Sequence, residues 1–131
     1  MSDPSIQVRI SAATPEADLA AAVWPGVTSV IYPRVESAQQ LSAADAEITR
    51  LERLRGIRPG HVRIQPTIDS SRGVTHVAEI VCGSPRVNCV ELGPSSVLEL
   101  GNDSLTYARG ECELHARGDG VVFVDTFLPH D

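Results

Sequence analysis

Five short apolar runs, at residues 6–10, 27–32, 62–68, 87–92 and 121–124, are separated by longer stretches with helical periodicity or helix signals. This alternation constrains the fold more than any other feature. A short run rich in Val and Ile is a strand signal, and four to eight residues is strand length. Thr14 stands before Pro15, with Glu16 and Asp18 in the first turn that follows, which predicts a capped helix ended by Pro25-Gly26. Ser37 followed by Gln40 reads as a capping box, and Leu41, Ala44, Ile48 and Leu51 then share one helical face. A third helix is predicted over residues 74–81, closed by Gly83 and Pro85. A fourth is predicted over residues 105–116, with Leu105, Ala108 and Cys112 on one side. Strands joined by helices predict one α/β domain over residues 1–131 with a parallel sheet and helical crossovers.

Two architectures satisfy this order. One is an open, doubly wound sheet. The other is part of a (β/α)₈ barrel, which normally needs about 250 residues, against 131 in this chain. Neither G-x-G-x-x-G nor G-x-x-x-x-G-K-[ST] occurs, so dinucleotide and P-loop readings lose their main support. An open flavodoxin-like module would likewise lack a recognisable phosphate loop.

Composition narrows the function. Aromatic residues are only 4% of the chain, so the core must be built from Val, Ile, Leu and Ala. A net charge of -6 argues against a nucleic-acid surface. The basic cluster Arg50, Arg53, Arg55, Arg58 and Arg63 reads as a solvated helix end and the loop after it, with a site for a phosphate-bearing ligand as the alternative. Cys82, Cys89 and Cys112 have no metal-type spacing and read as buried free thiols in a reducing compartment. No run has the length of a membrane span and no leader is evident, so the expectation is a cytoplasmic protein without a membrane partner. His61, His76, His115 and His130 are scattered and form no readable catalytic motif.

In a parallel sheet all C-terminal strand tips gather on one side. The tips here offer Arg9, then Arg34 and Glu36, then Asp69 and Arg72, then Ser95 and Ser96, then Asp125. A carboxylate such as Asp69, at a strand tip just before a helix, stands where α/β enzymes keep catalytic groups. Arg9 can hold a carboxylate bidentately. Asp69 with a second acid could hold Mg²⁺, which prefers oxygen ligands. Such a set suits chemistry through an enolate.

At these same positions the chain resembles the HpcH/HpaI aldolase and citrate lyase beta-subunit family. Val8-Arg9-Ile10-Ser11 is similar to V-R-I-N, and Tyr32-Pro33-Arg34-Val35-Glu36-Ser37 to L-P-K-V-E-S. Ile68-Asp69-Ser70-Ser71-Arg72-Gly73 resembles I-E-T-A-R-G. Ala78-Glu79-Ile80 and Ser84-Pro85-Arg86-Val87 resemble A-E-I-A-x-x-S-P-R-V. The stretch from Gly93 to Gly101 resembles G-x-x-D-L-x-x-D-L-G. Tyr107-Ala108-Arg109 and Val124-Asp125-Thr126 resemble Y-A-R and I-D-T. Order and spacing agree over nearly the whole chain.

The resemblance implies a (β/α)₈ barrel that makes or breaks a carbon–carbon bond next to a carbonyl, acting on an acyl-CoA thioester or a small oxoacid with Mg²⁺. Arg9 would be the catalytic residue that holds the substrate carboxylate, with Arg72 and Glu36 also on the substrate. Asp69 would take the place of a metal-binding Glu. The second metal-binding acid is missing: Gly93-Pro94-Ser95-Ser96-Val97 carries none, and Ser96 is the nearest position. Weak Mg²⁺ binding is therefore expected.

The chain also corresponds only to about strands 3 to 7 of the family barrel. A partial barrel leaves open edges, which predicts a homo-oligomer or a partner subunit that completes it. The alternative function is a metal-deficient paralogue or fragment that binds a ligand or a partner without catalysis.

Overall fold

A computed structural model describes residues 5–93 and 102–125 of the chain. The elements run β1 (Gln7–Arg9), α1 (Pro15–Ala22), β2 (Ser29–Tyr32), α2 (Ala38–Leu54), β3 (Arg63–Ile68), α3 (Ser71–Thr75), α4 (Val77–Ile80), β4 (Cys89–Leu92), α5 (Asn102–Gly118) and β5 (Val122–Asp125). The strands form one sheet in the order β1-β2-β3-β4-β5. Every pairing is parallel. The predicted parallel sheet with helical crossovers is the observed one. The central strand β3 is buried on both faces after its first residue, whereas the edge strands β1 and β5 are partly exposed along their length.

Strand pleating sends alternate residues to opposite faces. Val30, Ile64, Ile68, Val90 and Leu92 are fully buried in the core cluster, together with Leu19, Leu41, Ile48, Leu51, Cys112 and Ala116 from the helices. The opposite face is more polar. Cα register places Arg9 beside Ile31 and Gln65, and Thr67 beside Glu91. Gln65, Thr67 and Glu91 are buried there as well.

That burial is a sign of curvature. Neighbouring strands lie about 4.8 Å apart, so β1 and β4 stand roughly 14 Å apart on a flat sheet with side chains perpendicular to it. Yet Arg9 Nη1 lies 3.5 Å from Glu91 Oε1. Side chains three strands apart meet only when the sheet curls around them. The fold is a partial (β/α)₈ barrel with a concave inner face.

Local rules explain most of the helices. Ser37 caps α2 by accepting from the Gln40 N–H, and Gln40 Oε1 returns to the Ser37 N–H at 3.0 Å, so the capping box forms. Leu41, Ala44, Ile48 and Leu51 are all buried, as the periodicity requires. Thr14 precedes α1 but makes no side-chain cap. Its hydroxyl donates instead to Asp18 Oδ1 at 3.1 Å, while Asp18 Oδ2 accepts from the Ser11 N–H.

The helix expected over residues 74–81 starts earlier, at Ser71, and breaks at His76 into α3 and α4. Gly73 and the β-branched Val74, Thr75 and Val77 are weak helix formers. A continuous helix has little local support there. The last helix is longer than the predicted 105–116 at both ends.

At the N-terminal end of the sheet one arginine ties three elements together. Arg86 donates to Asp45 Oδ1 at 2.7 Å, to both oxygens of Glu52 at 2.8 and 2.9 Å, to Thr49 Oγ1 and to the Val62 carbonyl. Glu52 is completely buried and also accepts the N–H groups of Gly60 and Val62. Burial works to raise the pKa of Asp45 and of Glu52. The Arg86 guanidinium and the hydrogen bonds outweigh it and hold both carboxyls below their usual range.

Candidate functional site at the strand tips

The tips of β2 and β3 are stitched to each other. Ser70 caps α3 by accepting from the Gly73 N–H at 3.1 Å, and its hydroxyl donates to Glu36 Oε2 at 2.8 Å. The Glu36 N–H in turn donates to Gln40 Oε1 at 2.6 Å. Val35 N–H reaches back to the Thr67 carbonyl. This explains why the segments 34–37 and 68–73 both look like motifs: they are two halves of one hydrogen-bonded corner.

Two glycines make the corner possible. A Cβ on Gly73 would lie 2.7 Å from the Val35 carbonyl oxygen, and one on Gly93 would lie 2.5 Å from Thr67 Cγ2. Both are contacts that real side chains do not make. Arg34 adds a strained backbone with φ 52°, a region that costs a non-glycine residue about 1 kcal/mol or more. Its carbonyl accepts from Gln40 Nε2 at 3.2 Å, which helps hold it there. Strain kept at a strand tip is a pointer to function.

Asp69 sits half-buried in this corner. Burial raises its pKa, and the neighbouring Glu36 charge pushes the same way. The Arg34 charge and the Arg34 backbone N–H oppose them, and the net shift is upward. A partly desolvated carboxylate beside a second carboxylate is the sort of group that gains from a proton or a cation. Among the described residues no group of three or more His, Cys, Asp or Glu side chains is placed to hold a metal together. Asp69 and Glu36 are hard oxygen donors of the type Mg²⁺ accepts, and Mg²⁺ keeps several waters. A Mg²⁺ ion held by these two carboxylates would need water for most of its shell.

Arg9 lies on the concave face at the end of β1, 61% exposed at its side chain. Its partner there is Glu91, whose side chain is only 5% exposed and whose Oε1 also accepts from Thr67 Oγ1 at 2.9 Å. The sequence reading missed Glu91. Its signal was a charged residue at an alternate position inside the apolar run at 87–92.

Arg72 is exposed on the first turn of α3. Asp125 ends β5 and pairs with Arg109 of α5, which joins the two segments that resembled Y-A-R and I-D-T. It serves as a structural tie. Ser95 and Ser96 lie outside the described residues.

Cys112 is buried and its pKa is pushed up to about 12, chiefly by that burial. Cys89 is half-buried and also shifted upward by burial. Cys82 is exposed, contrary to the buried position expected of it. It follows Val81, which fills the core, and its thiol points outward to donate to Asp119 Oδ2 at 3.2 Å. That contact raises its pKa. No described helix is long and apolar enough to cross a membrane.

The family model of HpcH/HpaI aldolase/citrate lyase matches residues 3–130. The beta subunit of citrate lyase from Escherichia coli K12 is 31% identical over 116 residues, covering 83% of this chain and 38% of that protein. The L-malyl-CoA/beta-methylmalyl-CoA lyase of Cereibacter sphaeroides is 38% identical over 64 residues, covering 49% of this chain and 20% of that one. The chain thus spans well under half the length of these relatives. Among solved structures, malate synthase of Haloferax volcanii superposes with TM-score 0.77 at 18% identity, over 97% of this chain and 44% of the other. A citrate lyase from Burkholderia xenovorans gives 0.74 at 17% identity, over 97% and 46%. These likenesses agree with the partial barrel. The chain belongs to the HpcH/HpaI aldolase/citrate lyase family.

Proposed function

From that membership we propose that the chain contributes to a carbon–carbon lyase or aldolase site acting on an acyl-CoA thioester or a small oxoacid. The observation that supports it best is the corner at the β2 and β3 tips. There Asp69, Glu36 and the strained Arg34 converge, next to the concave face that carries Arg9.

Cleaving a carbon–carbon bond beside a carbonyl leaves an electron pair as an enolate, and the site must stabilise that charge. Arg9 binds the substrate carboxylate and fixes which carbon faces the tips. Arg72, exposed at the rim, adds attraction for an anionic substrate. Asp69 would hold Mg²⁺, with the Glu36 charge adding to the attraction. When bound, the ion supplies positive charge beside the developing enolate oxygen. Glu36 is fixed by Ser70 and by its own N–H bond to Gln40, so the charge beside Asp69 does not wander.

A second reading has its own support: Gly93-Pro94-Ser95-Ser96-Val97 carries no acid. On that reading the chain binds a ligand, or a partner that completes the barrel, without turning it over.

Exchange of the pyruvate methyl protons with deuterium, followed by NMR in the presence of Mg²⁺, tests enolate formation. The lyase reading expects slow exchange in the wild type, faster exchange in Ser96→Asp and none above background in Asp69→Ala. Exchange that ignores Asp69→Ala would contradict it. Background rates in every variant, with pyruvate still bound, would favour the binding module.

A further inference from the structure

Glu91 is a buried carboxylate on the face where an anionic substrate has to bind. A carboxylate loses much of its hydration when buried, and needs partners in return. Among the described residues it has two: the Thr67 hydroxyl at 2.9 Å and the Arg9 guanidinium at 3.5 Å. Both reach the same oxygen, Oε1. The Arg9 contact is long and single, and the arginine side chain is mostly in solvent. Arg9 therefore has the freedom to swing away, while Glu91 stays where β4 and Thr67 hold it.

We propose that Glu91 is an internal counter-anion that occupies Arg9 until a substrate carboxylate displaces it, and so sets which anions the site accepts. This rests on the reading of Arg9 as the anion holder. The reasoning is a balance of charge. With Glu91 beside it, Arg9 presents little net positive charge to a passing anion, so a small inorganic anion gains little by binding. A carboxylate on a larger ligand brings binding energy from its other contacts and takes the bidentate geometry that Glu91 does not use. Selectivity follows from making every anion compete with one already present. The pair spans 82 positions of sequence and three strand spacings, so it forms only on the curled sheet.

The test is titration calorimetry of the whole chain with pyruvate in one Mg²⁺-containing buffer, on the wild type, Glu91→Gln, Arg9→Ala and the double variant. Glutamine keeps the shape and can still accept from Thr67. The proposal expects Glu91→Gln to bind pyruvate about fivefold more tightly, the size of a part-exposed ion pair, and inorganic phosphate more tightly too. A gain in affinity is not what damage to the fold produces. Unchanged or weaker binding in Glu91→Gln, with Arg9→Ala still abolishing it, overturns the counter-anion while leaving Arg9 as the anion holder. An equal gain when Glu91→Gln is added to Arg9→Ala overturns it as well, because the effect would not pass through Arg9. Pyruvate binding untouched by Arg9→Ala overturns the functional reading itself.

Discussion

Two arginines in this protein pair with buried glutamates, at opposite ends of the same sheet, and they are held in opposite ways. Arg86, at the N-terminal end, is 5% exposed and its guanidinium lies at 2.7–2.9 Å from four groups. Arg9, at the C-terminal end, has a side chain 61% exposed and, among the described residues, makes one contact at 3.5 Å. The first is locked and fastens α2 to the starts of β3 and β4. The second is poised. In barrels of this kind the N-terminal end carries stability and the C-terminal end carries chemistry. The difference in how an identical side chain is held follows that division.

The largest effect should come from breaking the locked pair. Arg86→Met leaves Glu52 buried without a counter-charge, which costs about 3–5 kcal/mol. That approaches the whole stability of a domain this size. Urea denaturation should show a midpoint far below that of the wild type, and near wild-type stability would remove the contrast.

Gly93→Ala should cost about 1–3 kcal/mol, because its Cβ would press into Thr67 at the tip. Arg9→Ala should cost clearly less than Arg86→Met, because Arg9 makes one long contact from solvent and the buried Glu91 keeps its Thr67 hydrogen bond. If Arg9→Ala destabilised as much as Arg86→Met, Arg9 would be structural and not poised.

The pH dependence should have opposite signs at the two ends. The Asp45 and Glu52 carboxyls are held below their usual range, so their stabilisation is present above the unfolded pKa and is lost as pH falls through the folded one. Asp69 is shifted upward, so the folded state keeps its proton longer, and stability falls as pH rises from the unfolded value through the folded one. Asp69→Asn should therefore raise the melting midpoint slightly at pH 7, and Asp45→Asn should lower it. A drop for Asp69→Asn would mean that its environment favours the charged form after all.

Much of the fold was legible before the structure. Local patterns announce themselves: the capping box at Ser37 and Gln40, the buried stripe from Leu41 to Leu51, and the β-branched strands. The placement of Asp69, Glu36 and Arg9 was legible because each stands at or just past a strand end, where parallel topology collects side chains on one side. What stayed hidden is what depends on distance across the fold. Glu91 interrupts an apolar run without any local sign of a partner, and the curled sheet brings Arg9 to it. Nothing local marks Glu52 as buried; its partner Arg86 lies 34 residues away in sequence. The break at His76 was hidden for another reason. Val77 and Ile80 fit a helical pattern whether or not the helix is continuous.

The central claim is that the poised end binds ligand through Arg9 and Asp69. Calorimetric titration of the wild type, Arg9→Ala and Asp69→Ala, first with Mg²⁺ and then with pyruvate, tests it most directly. The account predicts weak Mg²⁺ binding that disappears in Asp69→Ala, and pyruvate binding that disappears in Arg9→Ala while the fold remains intact. Mg²⁺ and pyruvate binding that survive both substitutions would contradict it and would place the site elsewhere.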